Sequence, residues 1–337
     1  MSATSKYKLM AVLACSLLPT VVLALCVGAE FSSFKDAFAA LLGQADNIEQ
    51  QIIRDIRLPR VILALLIGAC LAVCGTASQG LFRNPLADPS LIGVSAGAAM
   101  GASLCIVFFY LLFAQVASVT IVAIAAFIGG MLASVLVYRL ANNENGTSVA
   151  MMLLAGIAVT AFAAAVSSFS EFASSNAQLR RISLWQMGSL AGSSGGQRAA
   201  LAVVLLLLLI VLQKQAMKLN ALLLGESEAR HLGVDVQRLK VHIVIAIAAG
   251  VGLSVAMAGT IGFVGLVVPH IMRLIIGPDH RYLLLASALG GALLLLIADT
   301  LARTVLAPSE LPVGVITAIM GAPFFLVLLR IKRNQLL

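Results

Sequence analysis

Charge is scarce in this chain. Only 11% of its 337 residues are Asp, Glu, Lys or Arg, while 61% are hydrophobic; a soluble domain carries about 25% charged residues. With so little polar surface the chain cannot cover itself in water, which excludes a soluble globular fold. No Gly-Lys pair occurs, so the G-x-x-x-x-G-K-[ST] loop that cradles phosphates is missing, and energy from ATP must enter through a partner. H-E-x-x-H is also missing. Cysteine is sparse: Cys15, Cys26, Cys70, Cys74 and Cys105 all lie in apolar runs. Cys70 and Cys74 share a helix face, but no second Cys or His pair completes a metal-site spacing, so they read as small membrane-buried residues.

What the chain has instead is apolar length. A spanning helix needs about 20 apolar residues to cross a hydrocarbon core of about 30 Å. Blocks of that kind fall at 9–28, 61–80, 91–113, 116–138, 149–170, 199–213, 283–306 and 311–329. The first, behind Lys6 and Lys8, is longer than the apolar core of a signal peptide and is read as a span. The block 241–276 is too long for one crossing and short for two. Parity decides it. Two crossings place the basic loop Lys214–Lys240 and the segment Arg330–Arg333 on the same side, as the positive-inside tendency requires. The break is expected in the glycine-rich stretch Gly259–Gly265. The fold class is therefore all-α, a polytopic membrane protein of ten transmembrane helices in one domain, 1–337.

With the N-terminus inside, the basic residues outside are Lys35, Arg54, Arg57, Arg60, Arg180, Arg181, Arg198 and Arg303, and the other fourteen of the 22 lie inside. Both termini are thus expected in the cytoplasm, and the net charge of +8 needs no nucleic-acid partner. The acids Glu171, Asp299 and Glu310 fall near the outer ends and the four histidines at the cytoplasmic side. No couple suited to intramembrane hydrolysis sits at mid-depth, so the chain is read as no enzyme. An ion-coupled exchanger would want charged relays deep in its spans, and none stands at mid-span.

Gly68–Thr76 in the second span resembles Gly250–Thr260 in the seventh, allowing a two-residue insertion. Five spans separate them, an odd number, so the two halves (about 1–172 and 173–337) would form an inverted five-helix repeat, an architecture of transporters. Chance likeness of glycine-rich, closely packing helices is the alternative.

Three groups of residues stand out as candidate sites. In the fifth span Gly156, Thr160, Ala164, Ser167 and Glu171 recur at three- and four-residue steps on one face, either packing against other helices or lining a water-filled pathway. Arg57, Arg60 and Arg303 oppose the inside bias. They are expected in solvent at the outer face, facing lipid headgroups or an acidic soluble partner. In the largest polar loop facing the cytoplasm, Glu226 and Glu228 precede Arg230 and His231. That order suits a short helix along its dipole with Gly233 as its stop, presented to a cytoplasmic motor.

Five motifs now carry a resemblance. They are Arg57-Leu58-Pro59-Arg60, the stretch Gln79–Gly97 (QGLFRNPLADPSLIGVSAG), Trp185–Leu190, Gly262–Arg273 (GFVGLVVPHIMR) and Glu310–Pro323 (ELPVGVITAIMGAP). Over essentially its full length the chain resembles the permeases of the iron-siderophore, haem and vitamin B12 ABC importers, and looks most like haem permeases of Gram-negative enteric bacteria. The resemblance implies a homodimer in the bacterial inner membrane, two cytoplasmic ATPase subunits and a periplasmic substrate-binding protein. The substrate is carried, with no cofactor bound permanently. It places binding-protein docking on Arg57, Arg60 and Arg303, ATPase coupling on Glu226, Glu228, Ala229 and Gly233, and a cytoplasmic gate at Thr147-Ser148. The fifth and tenth spans become pathway helices.

Overall fold

The structure, a computed structural model, describes residues 3–28, 32–44, 47–109, 119–143 and 146–336. Among the described residues ten apolar helices form its body. Seven are long enough to span a membrane: α1 (Ala3–Cys26), α3 (Ile48–Leu81, opening in wide π-turns over Ile52–Arg57), α5 (Val119–Ala141), α6 (Val149–Phe172), α8 (Gly195–Leu222), α10 (Val236–Ala258) and α12 (His280–Thr304). Three are shorter: α4 (Val94–Phe108), α11 (Val264–Ile276) and α13 (Val313–Leu336, apolar to Leu328). Three further helices, α2 (Phe34–Leu42), α7 (Asn176–Gln186) and α9 (Glu226–His231), lie in the connections. Among the described residues the only strand pairing is a two-residue antiparallel ladder, Asn142 opposite Thr147 and Asn143 opposite Gly146.

The block 241–276 divides where the glycines predicted. Helix α10 stops at Ala258, Gly259 and Phe263 take positive φ, and α11 begins at Val264. Such φ values reverse the chain, and Gly259 allows one without a Cβ penalty. At about 1.5 Å per residue α11 is about 20 Å long, less than a full hydrocarbon core. The expected ends of the spans 91–113 and 116–138 fall at 110–118, outside the described residues.

Helix α3 is the hub, buried along most of the stretch from Arg60 to Leu81. It packs on α12 so closely that neither Gly68 nor Gly291 has room for a Cβ, each facing the other's carbonyl oxygen. It also meets α10, where Gly250 lies against the Cys70 and Cys74 sulfurs. Helices in lipid gain no hydrophobic free energy from meeting, so close backbone approach through small residues supplies their attraction. Cys26, Cys70, Cys74 and Cys105 are buried as expected; Cys15 is exposed on α1. Elsewhere large apolar side chains point outward, Leu154, Phe162 and Phe169 on α6 among them, as a lipid-facing or subunit-facing surface requires.

The break in 241–276 is directly testable. Gly262 is exposed with nothing near an added Cβ, and Arg238 is largely exposed at the other end of α10. With Cys15 replaced by serine, a cysteine at position 262 and one at position 238 should react with a membrane-impermeant maleimide from opposite sides of the membrane. Labelling of both from one side would reduce the count to nine crossings.

Candidate functional site

Three clusters of polar residues hold the predicted site residues. The first lies where α1, α3 and α12 end together. Asp299 on α12 is completely buried. Its Oδ1 accepts from Arg60 Nε at 2.9 Å and its Oδ2 lies 3.2 Å from Arg303 Nε. The Arg303 contact is an ion pair without hydrogen-bond alignment, since Nε has no hydrogen-bond partner. Arg60 also reaches the half-exposed Glu310 at 2.6 Å. Arg57 Nη1 donates to the carbonyls of Leu25 (2.7 Å) and Cys26 (3.1 Å), and Arg303 Nη2 to that of Ala24 (3.0 Å). These are last-turn carbonyls of α1, which have no partner within their own helix and carry the negative end of its dipole.

This arrangement corrects the expectation that the arginines stand in solvent. Arg57, Arg60 and Arg303 are only 5%, 6% and 5% exposed. The reason is Asp299. A buried carboxylate needs compensating charge; Arg303 one turn on and Arg60 from α3 supply it, while the carbonyls of α1 draw in Arg57. The three arginines and Glu310 nevertheless line one cavity of about 320 Å³ with Gly28, Ile52 and Ile56, so the guanidinium groups border a common space.

The second cluster lines a cavity of about 420 Å³ walled by α4 (Ser95, Ala96, Ala99) and α6, with Gln186 and Thr260 at its rim. From the predicted stripe, Thr160, Ala164, Ser167 and Glu171 all line it. Gly156 does not; it lies against the Leu91 carbonyl and serves helix packing. Glu171 Oε1 accepts from Gln186 Nε2 at 2.9 Å, and the Thr260 hydroxyl donates to the Gln186 carbonyl. Chemically the cavity offers hydroxyls, small apolar surface and one carboxylate, enough for weak contacts with a passing solute. Among the described residues no group of three His, Cys, Asp or Glu side chains is placed to hold a metal ion.

The third cluster is at the opposite end of the bundle. Helix α9 ends in a left-handed turn at Gly233 (φ +81°), with Gly233 N–H bonded to the Arg230 carbonyl and Val234 N–H to that of Ala229. This is the paired bonding that glycine closes at a helix C-terminus, and it matches the predicted stop. Ala229 is fully buried, whereas Ser227, Glu228 and Arg230 face outward. Glu226 turns inward instead, to Lys240 on α10 at 2.7 Å. Lys240 is 1% exposed, and its Nζ also donates to the Thr147 carbonyl at 2.5 Å. Thr147 itself is buried, and Ser148 N-caps α6. Neither residue lines the cavity; they hold the end of the helix that does.

Sequence reasoning passed over Asp299 and Lys240. The signal for Asp299 was its spacing: Asp and Arg at i, i+4 on an apolar helix pair with each other. Lys240 was counted only as a basic loop residue, although it lies five residues into an apolar helix. Two of the quoted motifs also meet. Gln79 Nε2 donates to the Leu266 carbonyl (3.1 Å), and Arg273 Nη2 donates to Gln79 Oε1 (3.3 Å).

Comparison with known proteins bears on the fold and the family. A profile of the FecCD transport family matches residues 16–331. The hemin transport system permease protein HmuU of Yersinia pestis is 46% identical over 281 residues, covering 83% of this chain and 84% of that protein. The cobalamin import system permease protein BtuC of Halobacterium salinarum is 45% identical, covering 83% of this chain and 74% of its own length. The vitamin B12 import system permease protein BtuC of Vibrio cholerae is 42% identical, covering 83% of each. Among solved structures, a chain described as a metal-chelate type ABC transporter in an inward-facing conformation matches with a TM-score of 0.83 at 32% identity. The match covers 96% of this chain and 99% of that one.

The buried arginine cluster predicts a definite stability pattern. Arg60→Met leaves Asp299 with one partner and should destabilise the detergent-solubilised protein by about 3–5 kcal/mol, the range for breaking a buried pair. Adding Asp299→Asn should recover part of that loss. Thermal unfolding followed by intrinsic fluorescence measures both, and an Arg60→Met variant as stable as wild type would contradict a buried, compensated Asp299.

Proposed function

The chain belongs to the FecCD transport family, and we propose from that premise that it is the transmembrane permease subunit of an ATP-driven importer carrying haem across the bacterial inner membrane. The observation that carries haem is the 46% identity to a hemin permease along 83% of this chain. Cobalamin is the second reading, favoured by relatives at 45% and 42% identity; a ferric siderophore is the third. Both termini lie in the cytoplasm on the basic-residue count, and two copies form a homodimer whose interface is the pathway.

In this reading the loaded periplasmic binding protein docks at the end carrying Arg57, Arg60 and Arg303. The cavity those residues share supports the assignment, because an acidic side chain entering it would meet three guanidinium groups. Two cytoplasmic ATPase subunits seat α9 through Glu228 and the turn closed by Gly233, while the buried Ala229 and the inward Glu226 tie α9 to the bundle. Thr147 and Ser148 form the inner gate, and Thr160, Ser167 and Glu171 line the pathway. The two inverted halves rock between outward and inward openings, and the permease itself makes and breaks no covalent bond. Weak polar contacts suit a transport path, since a tightly held cargo would not leave.

Proteoliposomes holding the permease with its ATPase, and the binding protein outside, test the assignment with labelled haem, cobalamin and a ferric siderophore. ATP-dependent accumulation of haem should exceed that of the other two at least tenfold. Accumulation of cobalamin above haem would transfer the substrate to the second reading.

A further inference from the structure

Lys240 is a charged side chain in the buried part of a membrane-spanning helix, a position that lipid penalises unless every charge is matched. Its partners come from two other parts of the chain. Glu226 is in the first turn of α9, at 2.7 Å, and the Thr147 carbonyl, at 2.5 Å, is in the turn that enters α6. Three residues earlier on α10, so on the same face, Gln237 Oε1 accepts the Thr147 N–H at 2.9 Å. One peptide residue is therefore held through both its N–H and its C=O by a single face of α10. Thr147 is further fixed by its hydroxyl, 3.1 Å from Asn142 Oδ1 and 3.3 Å from the Tyr138 hydroxyl. The next residue, Ser148, caps α6, and α6 carries Thr160, Ser167 and Glu171 into the cavity it shares with α4. Among the described residues the other cation within ion-pair distance of Glu226 is the exposed Arg230, at a looser 3.8 Å.

We propose that Lys240 is a positioning residue that couples α9 to α6: through its ion pair with Glu226 and its bond to Thr147, displacement of α9 moves the entrance of the cavity-lining helix. The inference rests on the reading of the chain as an ATP-driven permease, in which α9 is the element a motor would push. The geometry suits a strut. An ammonium that gave up Glu226 would be left buried with only a carbonyl, so the pair resists separation and the two elements move together. A solvated link would yield under the same load.

The test separates holding the fold from carrying the motion. Lys240→Met leaves Glu226 without its buried partner and should lower thermal stability. The double variant Lys240→Met with Glu226→Met removes both charges, and replacing a buried ion pair by apolar groups of similar volume restores stability. If the pair serves only the fold, the double variant regains function along with stability. If it is the strut, the double variant is stable and co-purifies with the ATPase. The ratio of hydrolysis with loaded binding protein to hydrolysis without it then falls at least tenfold. Glu226→Gln, which keeps the side chain's size, should lower the same ratio in the same direction. A second readout needs no ATP: with Cys15 replaced by serine, spin labels at the exposed positions Met151 and Leu232 report the distance from the start of α6 to the end of α9. A narrow distribution in wild type that broadens in the double variant supports the strut. A wild-type ratio or an unchanged distribution in the stable double variant overturns it. A wild-type protein whose labels behave as expected, but which imports no chelate with ATP, refutes the ATP-driven reading and leaves the strut standing.

Discussion

A membrane gives a buried charge nowhere to go. In water an unpaired side chain is solvated; within the bundle its partner must be another side chain or a helix end, and the cost of leaving it bare is several kcal/mol. This constraint shapes both ends of the structure. At one end Asp299 gathers Arg60 and Arg303, and the carbonyls of α1 take Arg57 and the free arm of Arg303. At the other, Lys240 gathers Glu226 and Thr147. Between the two, the contacts are those of small residues, Gly68 on Gly291 and Gly250 on Cys70 and Cys74. Such surfaces bring helices close without fixing their depth. The charged clusters do fix it, because an ion pair sliding by one turn loses its partner. Packing holds the helices together, and charge sets their register.

That division explains what could be read from the chain alone. Apolar length and charge parity are local or additive properties, so the number of helices, the break after Ala258 and the turn at Gly233 were all legible. The cavity-lining stripe was legible too, because its residues share one helix and obey its period; Gly156, on nearly the same face, went instead to packing against Leu91. The burial of the arginines was not legible. Arg60 and Asp299 are 239 residues apart, and a charge at a span's end looks solvent-exposed until the helix carrying its partner is placed beside it. Lys240 escaped for the same reason: neither Glu226 in a polar loop nor the Thr147 backbone marks itself as its partner. Side-chain chemistry announces that a charge must be matched; only the tertiary fold says by what.

The matching also brings the candidate site together. Helix α6 lines the cavity it shares with α4, and α10 grips α6 at both ends. At one end Gln237 and Lys240 hold Thr147, immediately before the Ser148 cap. At the other, Thr260, just past the end of α10, donates to the Gln186 carbonyl while the Gln186 amide donates to Glu171 on the last turn of α6. The Ser189 N–H to Ala258 carbonyl bond, 2.7 Å, secures the same corner. Helix α10 is continuous between these grips, 23 residues without a proline, and so about 35 Å long at the helical rise. A helix of that length transmits a push along its axis better than a loop, which would absorb it. The grips differ in kind, however. The one at Thr147 includes a buried ion pair, whereas the one at Glu171 is a hydrogen bond to a partly exposed carboxylate, worth less and open to competition from water. Under load the weaker end yields first. A displacement arriving through α9 would therefore keep the Thr147 end of α6 attached and load the Glu171 end first, beside the cavity that Ser167 and Glu171 line.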